Sequence, residues 1–289
     1  MNDISFLLGS GFSVPAEHPT TSKINERLHK ISADEICITP SKSAWFLNGQ
    51  KDVNVRMSAV ERTFVQSFLE FYNAKVLKPG EAFHYETFFD YYFSYMNDGR
   101  EDPDIETFLQ SFKHESPPDA KLLNFVRAFH LTFSQLVAQL VTKALPNSHL
   151  GRIYPQEYRH FLFLIEKLSK THRVHFHSLN HDLYLERLAV SDAMHSKLSD
   201  GFTELGSPYY GWMRNKFERY MVRLARFENK FDQPFCLYKL HGSIDNYWFP
   251  NEEKREMIKL KRGISECDLY KEIERNGEVE YNSYAGNVY

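Results

Sequence analysis

The chain has little cysteine. Cys37, Cys236 and Cys267 are widely separated and form no CxxC pair. That excludes a four-cysteine zinc site and argues against a disulfide framework, leaving reduced thiols of an intracellular protein as the expectation. No apolar stretch approaches the roughly 18 residues that a membrane-spanning helix needs. Met1-Asn2-Asp3 lacks the basic start of a secretory signal, so the sequence reads as soluble and cytoplasmic. There is no excess of basic charge either. A net charge of −3 gives no global electrostatic reason to expect nucleic-acid binding. Internal repeats and low-complexity tracts are also missing.

Aromatic side chains are abundant, with 24 Phe and 17 Tyr among 289 residues, which implies a well-packed and partly helical core. Ile4 to Leu8 is a short apolar run ending at Gly9, the pattern of a strand buried on both faces. Thr20, Thr21 and Ser22 offer N-caps, and Ile24, Leu28 and Ile31 follow at helical spacing, which predicts an amphipathic helix over Lys23–Ser32. From Ser43 to Lys170 the character is helical. Met57–Val76, Phe83–Met96, Ile105–Phe112, Lys121–Leu145 and Gln156–Lys170 are separated by breakers such as Lys78-Pro79-Gly80, Asp102-Pro103, Ser116-Pro117-Pro118 and Pro146-Asn147. Phe64, Phe68, Phe71 and Tyr72 share one helical face and read as core.

Strand character returns at Arg173–Leu179 and Pro234–Leu240, with a short helix expected over Asp182–Val190. Gly201–Trp212 reads as turn-rich and Phe217–Phe231 as either helix or strand. Asn251–Tyr289 is polar and poorly periodic. The chain is therefore expected to hold an α/β core over 1–42 and 171–289 with a helical insert over 43–170.

Each predicted buried strand ends in a polar constellation, and open α/β sheets bind ligands outside the carboxyl ends of their strands. The first constellation is Gly9-Ser10-Gly11-Phe12-Ser13. Glycines there let the backbone approach a diphosphate, but without a third glycine at the usual spacing a plain turn fits equally well. The second is Ser178-Leu179-Asn180-His181-Asp182, in which Asn180 or Asp182 either caps the helix that follows or hydrogen-bonds a ribose or an amide. The third is Lys239-Leu240-His241-Gly242-Ser243-Ile244-Asp245. Gly242 removes bulk beside His241, and Ser243 or Asp245 can orient its ring, making His241 the best general-base candidate among 13 histidines. His175 and His177 share one strand face without a third ligand and read as strand residues rather than metal ligands.

GSGFS, SLNHD and KLHGSID, in this order, resemble the Sir2-like domain family, and more closely its bacterial branch of NAD-consuming effectors of antiphage defence. The corresponding elements there are a GAGxS turn, a T-x-N-x-D segment and a K-L-H-G turn. Pro19-Thr20-Thr21 is similar to the PTT of this branch. The resemblance covers about the first 30 residues and 172–250. It implies a Rossmann-like (Sir2/DHS-like), mostly parallel sheet that takes NAD as substrate at Gly9, Ser10, Gly11, Phe12, Ser13, Asp182, Gly242 and Ser243. Asn180 would hold the nicotinamide ribose or the attacking water, and His241 would act as the base. Breaking the nicotinamide–ribose bond builds positive charge on the sugar and needs positioning more than a strong acid, which suits an amide and an imidazole.

The departures narrow the expectation. Three scattered cysteines cannot build the zinc module of deacetylating sirtuins, so no zinc is expected, and their G-x-P-D-F-R segment has no counterpart. Water is then the favoured acceptor, giving ADP-ribose and nicotinamide. The G-[YF]-S-x-x-D segment that closes the adenosine side in this branch is not found in Asn251–Tyr289. This leads to the expectation of a fold incomplete at its C-terminus, finished by further chain or by a partner. Expected partners are a second copy of the chain or another defence protein, with neither membrane nor direct nucleic-acid contact. The competing readings are a module that binds NAD or ADP-ribose without cleaving it, a deacetylase or ADP-ribosyltransferase, and an α/β protein whose three turns are merely well capped.

Overall fold

The apolar run at the start forms β1 (Asn2–Leu8), followed by the 3-10 turn Ser10–Phe12. The computed structural model describes residues 2–39, 43–49, 57–97, 101–112, 122–142, 156–189, 193–214, 218–249, 256–261, 264, 269–275 and 277–283. Cys267, the breakers Ser116-Pro117-Pro118 and Pro146-Asn147, and the last residues 284–289 lie outside them. The chain divides into two compact units, one built from 1–16 and 148–289 and the other from 17–147. The sequence changes character at other points, near 43 and 170.

The 17–147 unit begins with α1 (Thr21–Leu28), whose N-cap Thr20 accepts a hydrogen bond from the Lys23 amide at 3.3 Å. Ile24, Leu28 and Ile31 are buried, as their spacing predicts. A capping box between Ser32 and Glu35 leads into the antiparallel pair β2 (Ile36–Ile38) and β3 (Ala44–Phe46). The helices α2 (Ala59–Phe71), α3 (Tyr85–Asn97), α4 (Pro103–Phe112) and α5 (Leu122–Thr142) follow, and Tyr72–Val76 extends α2 as a π-helical turn. Two glutamines of α5 serve the edge of the hairpin. The amides of Ala44 and Phe46 donate to the side-chain oxygens of Gln135 and Gln139 at 2.6 and 2.7 Å.

The core of this unit is an aromatic cluster. Phe68 is fully buried, with ring centroids 5.0 Å from Phe129, 5.3 Å from Phe108 and 5.7 Å from Phe88, so one ring of α2 touches α5, α4 and α3. The Phe68–Phe129 pair meets edge to face at 87°, the arrangement that the charge distribution of aromatic rings favours.

The 1–16/148–289 unit resumes with the 3-10 turn Gln156–Tyr158, α6 (Arg159–Leu168), β4 (His172–Ser178) and α7 (Tyr184–Leu188). Among the described residues, ten short strands follow: β5 (Leu198–Ser199), β6 (Gly201–Thr203), β7 (Tyr209–Arg214), β8 (Arg219–Arg223), β9 (Ala225–Lys230), β10 (Phe235–Lys239), β11 (Asn246–Phe249), β12 (Glu256–Lys259), β13 (Leu269–Arg275) and β14 (Glu278–Ser283). Strands β1-β4-β10-β5 form a parallel four-stranded sheet. Two antiparallel sheets take the orders β11-β12-β9-β6 and β14-β13-β7-β8. The fold is thus mixed α/β with a parallel sheet, a helical region and antiparallel sheets.

Val174, Phe176 and Leu237 point from the parallel sheet into a core shared with Leu162 and Ile165 of α6 and Leu185 and Leu188 of α7. β1 lies at the edge of this sheet and is covered on one face only. Its Ile4, Phe6 and Leu8 pack on the core while Leu7 is exposed, so the apolar run overstated its burial. His175 and His177 alternate with the core residues of β4 and take the opposite face. There His175 lies 3.1 Å from the Tyr238 hydroxyl and 3.2 Å from Asp3, and His177 stacks on Tyr238. The ambiguous stretch Phe217–Phe231 contributes β8 and β9, the turn-rich stretch Gly201–Trp212 contains β6 and most of β7, and the polar tail carries β12, β13 and β14. β7–β8 and β13–β14 are neighbours in sequence, whereas β9 pairs with β6 and β12 and β13 pairs with β7 across longer separations; the mixture of exposed apolar and charged residues on these strands breaks the clean alternation that would mark them. No helix among the described residues is long and apolar enough to cross a membrane.

Replacing Phe68 with Ala removes the ring that joins four helices. It should destabilise the protein by about 3–5 kcal/mol, read from urea unfolding of the full chain.

Candidate functional site

The register of the parallel sheet decides what meets at its carboxyl edge. Leu8 lies opposite Ser178, and Ser178 lies opposite Lys239, so β1, β4 and β10 end level. Two backbone bonds carry the ladder one residue further, from the Leu179 amide to Leu8 O at 3.0 Å and from the Leu240 amide to Ser178 O at 2.9 Å. The three predicted constellations therefore emerge side by side, at the roughly 5 Å spacing of neighbouring strands.

Asn180 joins the first turn to the second. It is buried, and its amide nitrogen donates to Gly9 O and to Ser13 Oγ, both at 3.0 Å. Its own backbone N–H donates to Ser178 Oγ at 3.1 Å. With both side-chain hydrogens committed, Asn180 can meet a ligand only as an acceptor, through Oδ1. Ser13 is likewise buried. Phe12 anchors the turn to the core. Its ring packs on Tyr158 and Phe161 with centroids 5.3 and 5.1 Å away, and its carbonyl accepts from the Tyr158 hydroxyl. Burial pushes the Tyr158 phenol up to about 12, so it stays protonated and able to donate.

Neither conformation nor packing requires glycine at positions 9 and 11. Gly9 is extended, with φ −103°, and Gly11 sits inside the 3-10 turn without a positive φ. A methyl group built on either would meet no atom of the described residues within 4 Å. Gly242 differs, because its φ of +81° is the left-handed conformation that favours glycine. It turns the chain directly after His241, with its amide donating to Lys239 O at 3.1 Å.

The second and third constellations are bound to each other. The His181 carbonyl accepts from the Ile244 amide at 3.2 Å and from Ser243 Oγ at 3.5 Å. The His181 and His241 rings stand with centroids 6.1 Å apart, and His241 is exposed. Asp182 accepts from the Tyr184 amide through Oδ1 at 2.9 Å, an Asx-type turn that leads into α7, whose N-cap position is Leu183 rather than Asp182 or Asn180.

Lys239, Glu186 and Lys259 carry structural charge at this edge, and none was singled out by sequence reasoning. The Lys239 side chain is 7% exposed; its ammonium donates to the Asp182 carbonyl and lies 3.5 Å from Glu186. Lys259 pairs with Asp200, with Asp245 at 3.6 Å and with Glu186 at 4.0 Å. Burial pushes the Glu186 carboxyl up, against the pull of Lys239 and Lys259, and neither of its oxygens accepts a hydrogen bond among the described residues. Burial disfavours the charged Lys259, but Asp200, Glu186 and Asp245 outweigh it and hold its pKa well above the usual lysine range. Asp245, a candidate to orient His241, is thus also engaged by Lys259. The one signal for Lys239 was its place directly before Leu240-His241-Gly242; Glu186 and Lys259 left no sequence signal.

No protein-family model matches the chain, and no curated protein matches it.

Lys239→Met leaves Glu186 short of a cation and Asp182 O short of a donor. It should cost about 3–5 kcal/mol at pH 7 in chemical denaturation. A raised carboxyl pKa adds stability below the unfolded value and loses it as pH rises through the folded one. The deficit of the variant should therefore shrink as pH is lowered from 7 and Glu186 takes up a proton.

Proposed function

We propose that this protein cleaves NAD to ADP-ribose and nicotinamide and acts as an NAD-depleting effector in bacterial antiviral defence. The single observation that carries this reading is the edge just described. Three turns leave level strand ends, and the first of them keeps two glycines that neither its backbone conformation nor its packing requires. Glycines with open space beside them leave room for a ligand to approach the backbone closely, and a dinucleotide diphosphate is the ligand that such turns accept in Rossmann-like sheets. The finer fold assignment, a Rossmann-like sheet of the Sir2-like kind, belongs to the same proposal. So do the cytoplasmic location and action as a homo-oligomer or with a defence-system partner.

In this reading the diphosphate lies along Gly9, Ser10, Gly11 and Ser13, with Gly242 and Ser243 bounding the other side. The bond between ribose C1′ and the nicotinamide nitrogen breaks, and its electron pair neutralises the pyridinium. A water oxygen bonds to C1′, and the proton that water loses passes to His241. Asn180 Oδ1 accepts from the ribose hydroxyl or from that water, fixing its direction. Asp182 supports Asn180 or meets the nicotinamide carboxamide. Phe12 contributes through the position its ring gives the turn.

A second reading, a sensor that binds NAD or ADP-ribose without cleaving it, is favoured by the commitment of both Asn180 amide hydrogens to Gly9 and Ser13. An Asn180 used only to tie the turns together would bind without accelerating chemistry.

The deciding experiment is nicotinamide release from NAD by the full chain, followed by chromatography, beside calorimetry with ADP-ribose. Cleavage should fall at least about 100-fold in His241→Ala and in Asn180→Ala. Full turnover by both variants would remove these roles. Tight ADP-ribose binding without nicotinamide release selects the sensor, and failure to bind either ligand removes both readings. Gly11→Ala should leave unfolding free energy within about 1 kcal/mol of the parent, since alanine suits a helical turn better than glycine. The same change should weaken NAD binding at least tenfold.

A further inference from the structure

We infer that His181 and His241 together form a seat for a divalent transition-metal ion of the zinc class, and that an ion bound there withdraws His241 from proton transfer. The two rings stand on turns that leave adjacent strands, with centroids 6.1 Å apart and planes inclined at 44°. Two imidazoles sharing one ion at metal–nitrogen distances of about 2.0–2.1 Å bring their ligating nitrogens to within about 4 Å of one another. A ring nitrogen of each already lies within 4.8 Å of one on the other, so a closing of about 1 Å achieves that.

Main-chain geometry keeps the pair together. The carbonyl of His181 is held by the Ile244 amide at 3.2 Å and by Ser243 Oγ at 3.5 Å, so the backbone under one ring is bonded to the loop that carries the other. Gly242, with φ +81°, turns that loop immediately beyond His241. Half-burial of His181 and exposure of His241 give an ion a route from solvent.

The class of ion follows from the donors. Imidazole suits zinc, copper and nickel, whereas magnesium and calcium require several oxygens. The carboxylates of these segments have other engagements. Asp245 and Glu186 face Lys259, Lys239 also faces Glu186, and Asp182 accepts from the Tyr184 amide. Water completes the coordination. A metal ion bonds to the lone pair of a neutral imidazole, which is the same lone pair a general base uses, so occupancy and proton acceptance by His241 exclude each other. The effect on turnover rests on the proposed NAD cleavage, whereas the binding does not.

The test is calorimetric titration of the chelator-treated full chain with zinc chloride, with magnesium chloride as the control. One zinc site of micromolar affinity is expected, weakened at least tenfold in His181→Ala and in His241→Ala and unchanged in His175→Ala. Magnesium should give no saturable heat. Since the carbonyl that Ile244 uses survives in His181→Ala, circular dichroism should show an intact fold. Undiminished zinc binding by His181→Ala, or loss of the site in His175→Ala, would overturn the seat, as would absence of zinc binding by the parent. In the NAD assay, zinc should suppress nicotinamide release by the parent and spare the release that His181→Ala supports. Turnover by the parent that zinc does not touch at saturating occupancy overturns the withdrawal of His241. If the parent binds zinc but cleaves no NAD, the catalytic reading fails and the seat stands.

Discussion

Parallel pairing in register is the constraint on which the candidate site depends. Leu8, Ser178 and Lys239 lie in one row across the sheet, and a slip of one residue would reverse the face of every side chain on the displaced strand. The hydrophobic alternation that sends Val174, Phe176 and Leu237 into the helix-covered core therefore also fixes where the polar turns begin. Asn180 reaches Gly9 across 171 positions of sequence. The entropy of closing so long a loop grows only logarithmically, about 0.6 kcal/mol for each doubling, so a large intervening unit is thermodynamically tolerable.

Once register brings the turns together, hydrogen bonds and charge hold them in relation. Asn180 ties the first turn to the second with two donors, and Ile244 ties the third to the second through the carbonyl of His181. Lys239 supports both, with one contact to the Asp182 carbonyl and another to Glu186. Enclosing a lysine costs hydration that must be offset, and here a backbone carbonyl accepts from it while the Glu186 carboxylate 3.5 Å away supplies the opposite charge. The residue that precedes the histidine turn thereby serves as its foundation.

The parts legible in the sequence were those with local causes. The apolar runs before Gly9 and Lys239 marked β1 and β10, the alternating Val174-His175-Phe176-His177 marked β4, and the Thr20 cap with Ile24, Leu28 and Ile31 marked α1. The stripe Phe64, Phe68, Phe71, Tyr72 marked the aromatic core of the helical unit. What escaped was set by partners far along the chain. β9 pairs with β6 and β12, and charged residues such as Arg226 and Glu228 on its surface obscure the alternation. Glu186 and Lys259 meet only through tertiary structure, and nothing around either residue in sequence announces the other. At the site, the sequence supplied the three turns and their residue types. It could not supply the commitment of Asn180 to Ser13, because a hydrogen bond between two turns has no sequence period.

Gln135 and Gln139 have a further consequence. A two-stranded ribbon normally leaves a row of amides facing outward along each of its two edges, where a strand from another molecule can add and begin aggregation. In the β2–β3 hairpin the outward amides of Ala44 and Phe46 are already taken by the α5 glutamines. Two side chains thus act in place of a third strand along β3, and that edge of an apolar ribbon containing Ile36, Ile38, Trp45 and Phe46 is closed to recruitment.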